Sequence, residues 1–128
     1  MTNHTMFLRR SLQLDGVASG LTGVLLLAGG GMLAPLFGVS ERAFIHMIGG
    51  GLIVFAAVLL WNAARTRPSR GVTVTAVVLN IGWVLGSAVL MVDGALTLVG
   101  NLAVAAVAGA VVLFTVLEVV GLRRLKAA

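Results

Sequence analysis

The sequence predicts an all-α fold: four transmembrane helices in an up-down-up-down bundle with both termini cytoplasmic. Three observations carry that prediction. Hydrophobic residues make up 59% of the 128 and charged residues 10%, against ~25% charged in an ordinary soluble domain, and a soluble chain this small has too much surface to cover with 13 charged side chains. The few charges leave four long uncharged runs, at 16–40, 43–64, 71–92 and 94–117. Eight of the nine basic residues fall in segments that a four-pass chain places on one side.

Each run reaches the roughly 20 apolar residues that a helix needs to cross ~30 Å of hydrocarbon. In lipid the backbone must satisfy its own hydrogen bonds, so each run should be helical. The ~10-residue alternating segments of a membrane β-barrel are missing. The first helix is placed at about 12–34, with Pro35 expected to end it, because proline lacks an N–H and clashes with the preceding turn. A polar turn through Glu41 and Arg42 leads to the second helix at about 43–64. Arg65, Thr66, Arg67, Pro68, Ser69 and Arg70 connect it to the third, at about 72–92. Asp93-Gly94 is a turn signal before the fourth, at about 96–121. Short links between spans make neighbours antiparallel, and the chain reads as one membrane domain over 1–128.

Orientation follows from Arg9 and Arg10, from Arg65, Arg67 and Arg70, and from Arg123, Arg124 and Lys126. The opposite side has Arg42 alone. The positive-inside rule puts the three clusters, and both termini, in the cytoplasm. The same eight residues would meet anionic lipid headgroups. They hug the membrane ends without interleaved aromatics, which argues against nucleic acid. Arg9-Arg10 before an apolar run also has the form of a twin-arginine signal, but ordinary topogenic flanking explains it more simply.

The spans contain few groups capable of chemistry. Asp15, Ser19 and Thr22 form a stripe on the first helix, and Asn80, Trp83 and Ser87 share one face of the third. Asn80 stands about 12 Å along its helix from residue 72, near mid-membrane. With Glu118 of the fourth helix, these residues form the candidate intramembrane polar or ion site. Asp15 and Glu118 are expected about a turn inside the basic end. Two readings stand: arginine pairing at the boundary, or two nearby carboxyls that share a proton or hold a cation. Asn80 reads first as a helix-to-helix hydrogen bond. Gly29, Gly30 and Gly31, Gly49, Gly50 and Gly51, and the pair Gly82 and Gly86 are expected to let helices pack closely. The two triplets are nearly equidistant from the first turn and are expected at similar height. His4 and His46 lie toward opposite ends and cannot share a metal. With no cysteine, no phosphate loop and no Ser-His-Asp set on one face, no cofactor, no metal and no enzymatic activity are expected.

The residues Leu8, Arg9, Arg10, Leu14, Asp15, Gly16, Ser19 and Gly20, then Asn80, Trp83, Val84 and Ser87, then Gly121, Leu122, Arg123 and Arg124 resemble a group of small, functionally uncharacterised bacterial integral membrane proteins with four helices. The resemblance implies a multi-pass protein of the bacterial cytoplasmic (inner) membrane. Missing chemistry and abundant small residues favour a non-enzymatic scaffold or accessory subunit, with other membrane proteins or a second copy as partner. The alternatives are a small proton- or cation-coupled transporter or channel, and a lipid- or quinone-binding protein in which Trp83 lines a cleft.

Overall fold

The structure, a computed structural model, describes residues 3–127, the last two as backbone alone. It is all-helical: α1 (Asn3–Phe37), α2 (Arg42–Ala64), α3 (Arg70–Val92) and α4 (Leu98–Ala127). All four are long and apolar enough to cross a membrane. In no span is more than 22% of the most apolar window buried within the protein. The outward side chains, among them Leu21, Leu25, Met47, Val54, Leu85, Leu102 and Leu113, are apolar and exposed. A surface of that kind is stable against hydrocarbon and not against water. The chain is thus a multi-pass membrane protein.

The helices form a ring. α1 packs most extensively against α2 and also lies along α4, α4 carries α3, and α2 meets α3 only sparsely. One end is closed by Leu8 and Leu12 of α1, Leu59 and Ala63 of α2, Ala76 of α3 and Leu122 of α4, a single buried cluster against which Phe55 and Leu125 pack.

Three helix limits differ from expectation, both ends of α1 and the end of α4. α1 starts at Asn3 rather than near residue 12, because Leu8 and Leu12 are fully buried in that closing cluster and draw the preceding turns into the helix. Arg9 and Arg10 are therefore helical residues rather than parts of a tail. Pro35 lies inside α1 instead of ending it. It stands in the last turn, where a missing N–H costs a single bond. The stop comes at Gly38, whose φ of +83° few side chains tolerate. There Val39 N–H donates to Ala34 O at 2.8 Å and Gly38 N–H to Pro35 O at 3.3 Å, the paired bonds of a Schellman motif. α4 begins at Leu98 and runs on to Ala127, past the expected end at 121.

Polar ties fix both ends. At the α2–α3 corner the fully buried Asn62 side chain accepts from Ser69 N–H at 2.7 Å and donates to Thr73 Oγ1 at 3.0 Å. Ser69 Oγ caps α3 through Val72 N–H. Arg9 donates from Nη2 to Arg65 O at 2.6 Å, satisfying a carbonyl at the C-terminus of α2. At the other end Thr97 Oγ1 donates to Leu36 O at 2.7 Å and accepts from Gly100 N–H at 3.1 Å, joining the last turn of α1 to the first of α4.

The glycines pack differently from expectation. Gly49 faces Gly23, so closely that a Cβ on Gly23 would stand 2.7 Å from Gly49 O. Gly30 meets His46, and Gly16, Gly100 and Gly121 are also close-packed, against Leu60, Phe37 and Leu8 respectively. Gly50, Gly51, Gly82 and Gly86 have no neighbour within 4 Å, and Gly29 and Gly31 have only ordinary contacts. The triplets are not side by side, because Gly49 is in register with Gly23 instead of with 29–31. Spacing alone marks small residues, but not which face of the helix meets a neighbour.

Candidate functional site

Asp15, Asn80 and Glu118 come from three different helices and meet inside the bundle. Asn80 lies near the middle of α3, and its Nδ2 donates both to Asp15 Oδ2 at 3.0 Å and to Glu118 Oε1 at 3.4 Å. Ser19 is one turn beyond Asp15 on α1, so its hydroxyl reaches back to Asp15 Oδ1 at 3.1 Å. Asp15 and Glu118 are fully buried, and Asn80 is 4% exposed. Glu118 Oε2 is buried with no hydrogen-bond partner.

The geometry brings the two carboxyls together on one amide. Among the described residues no basic side chain is ion-paired with either one. Asp15 also follows the Arg9-Arg10 pair by five residues on the same helix. With α1 starting at Asn3, Asp15 stands 12 residues into the helix, about 18 Å along it.

A cavity of about 300 Å³ opens beside Asp15. Its polar wall is Asp15, Ser19, Thr22 and Asn80, and its apolar wall includes Leu52 and Phe55 of α2, Trp83 of α3, and Val107, Val111 and Phe114 of α4. Thr22 and Trp83 thus belong with the carboxyl cluster, although the Thr22 hydroxyl is taken by its own helix at Ala18 O, 2.8 Å away. Ser87 is buried but does not line the cavity; its hydroxyl bonds Trp83 O at 2.8 Å. No known protein family, curated protein or solved structure matches the chain. The site is therefore read from its own chemistry.

Two carboxyls buried around one amide donor are an electrostatic problem, because like charges at this separation in a low dielectric repel strongly. A shared proton or a bound cation solves it. Asp15 receives two donors, Ser19 and Asn80, whereas Glu118 Oε2 receives none and has room for a proton. The leucine cluster of α1, α2 and α4 closes the bundle near Asp15, and the cavity opens among residues further along the helices.

The basic residues divide. Arg10, Arg65, Arg67, Arg70, Arg123 and Arg124 are exposed. Arg9 is instead engaged by the end of α2, Arg65 stacks over the Trp61 ring at 5.1 Å, and Arg124 over Phe7 at 4.5 Å. The Lys126 side chain lies outside the described residues. Sequence reasoning missed Asn62, which at the end of a span has no distinguishing pattern, and Phe55 and Phe114, which look like any lipid-facing aromatic.

Proposed function

We propose that this protein is a small non-enzymatic carrier of the bacterial inner membrane, in which Asp15, Asn80 and Glu118 hold an exchangeable proton or monovalent cation beside a substrate cavity. The supporting observation is the buried carboxyl pair on one amide, with Glu118 Oε2 unpartnered. Burying such a pair is costly, and a protein that served only to pack would gain more from apolar residues there. The reading takes the helices as up-down-up-down with both termini cytoplasmic, which the one-sided basic residues support. Anionic headgroups meet Arg10, Arg67, Arg70 and Arg123 at that side. The scaffold or accessory-subunit role is a second reading, favoured by the unoccupied outward glycines of α3, Gly82 and Gly86, which suit a neighbouring helix.

Liposome flux tests the carrier reading. Purified protein is reconstituted with a pH dye inside, and proton entry is followed after an external acid step, with sodium and potassium gradients as further arms. The wild-type protein dissipates one of these gradients, and Asp15→Asn and Glu118→Gln, checked for native helix content, do not. Flux that is absent in the wild type, or equal in both variants, refutes the assignment.

A further inference from the structure

The cavity beside Asp15 has features that select its occupant. It is at the small end of ligand pockets in volume, and all but a few of its walls are apolar. The aromatic rings of Phe55, Trp83 and Phe114 offer flat hydrocarbon and negative π-faces. Its inner end is Asp15 and Asn80, with Glu118 joined to them. With one proton between the two carboxyls, this inner end carries a single negative charge and balances one positive charge. A hydrated inorganic ion would find too few oxygens along the apolar wall to replace its water. An organic cation would not need them.

We propose that the cavity binds a lipophilic primary or secondary amine in its protonated form, with the ammonium N–H groups donating to Asp15, the carboxyl that lines the wall, while the proton of the pair stays on Glu118 behind it. This rests on the carboxyl pair as the exchangeable charge site proposed above. The ammonium displaces the Ser19 hydroxyl from Asp15, and Ser19 turns to a carbonyl of its own helix, as Ser11 and Thr22 already do. Entry is from the bilayer through the seam between α2 and α3. Those helices meet sparsely, and at Gly51 the cavity wall has no side chain and no neighbour within 4 Å. The opposite route is closed by Leu8, Leu12 and Leu59 and is ringed by arginines that repel a cation.

The test uses the full chain in mild detergent with Trp61→Phe, so that Trp83 is the remaining fluorophore. Phenylbutylamine is titrated beside its neutral isostere phenylbutanol and its N-trimethyl quaternary analogue. The amine should change Trp83 emission saturably, with a Kd about tenfold tighter than either analogue, the scale of one charge-assisted hydrogen bond. Asp15→Asn should remove the preference for the amine and keep the weak response to phenylbutanol, which shows an intact cavity. Equal binding of amine and alcohol overturns the proposal in favour of a neutral lipid-like ligand. Equal binding of the quaternary analogue overturns the N–H contacts, and no saturable change overturns the site. The titration reads occupancy and not transport. A failure here with liposome flux intact removes the amine alone, and amine binding without flux supports the inference while removing the carrier.

Discussion

Alanine at two adjacent glycines should have opposite effects. A Cβ on Gly49 would lie 2.9 Å from Gly23 O and 3.1 Å from both Leu26 Cβ and Leu27 Cγ, whereas one on Gly50 would meet nothing within 4 Å. At Gly50 alanine removes only the conformational freedom of the unfolded chain, so Gly50→Ala should stabilise by about 0.5–1 kcal/mol. Gly49→Ala has the same propensity gain, so the difference between the two variants isolates the steric cost. Reaching the 3.4 Å at which a contact becomes ordinary requires α1 and α2 to separate by about 0.5 Å at their closest approach, against backbone that cannot rotate away. Overpacking of this kind costs about 1–3 kcal/mol, which makes Gly49→Ala the less stable by that amount. Gly23→Ala, with its Cβ 2.7 Å from Gly49 O, belongs at the upper end of the range. Unfolding in mixed micelles by increasing SDS, followed by circular dichroism, measures the difference. If Gly49→Ala is as stable as Gly50→Ala, the α1–α2 contact at Gly23 and Gly49 is wrong.

Three further outcomes follow from the polar ties. Asn62→Leu leaves Ser69 N–H without its acceptor and should cost about 1–3 kcal/mol in the same SDS titration, with faster proteolysis between residues 65 and 69. Arg9→Gln removes the donor to Arg65 O and should lower stability by about 0.5–1.5 kcal/mol, whereas Arg10→Gln, exposed on the same turn, should stay within about 0.5 kcal/mol of wild type. Asn80→Leu strips both carboxyls of their shared donor and should cost about 3–5 kcal/mol, more than Asp15→Asn; adding Asp15→Asn to Asn80→Leu should restore part of the loss.

Helix number was legible in the sequence because charge is expensive in lipid and marks where each span must stop. The same rule misplaced the start of α1. Arg9 and Arg10 mark a charged end, but the helix runs on before them, because Leu8 and Leu12 beside them close the core. The polar stripes were legible because amides and carboxyls in an apolar span must find partners, and period 3.6 groups Asp15 with Ser19 and sets Asn80 on a defined face. That Asp15 and Glu118 would meet depended on α1 and α4 being neighbours, which the ring of contacts provides. The cavity was not legible. Phe55, Val107, Val111 and Phe114 are equally apolar whether they face lipid or line a cavity, so hydropathy cannot separate the two. The glycines failed for a related reason: Gly82 and Gly86 have the spacing of a packing motif and no neighbour, while at Gly23 and Gly100, which spacing did not single out, a Cβ would stand 2.7 and 2.6 Å from a backbone oxygen.

The Asn62 clamp gives α3 a pivot. Val92 is 19 residues beyond Thr73, a lever arm of about 28 Å, so a swing of about 10° at the corner carries its tip about 5 Å through the plane of the membrane. Since α3 leans on α4 and scarcely touches α2, the angle of that arm sets how wide the chamber beside Trp83 stands.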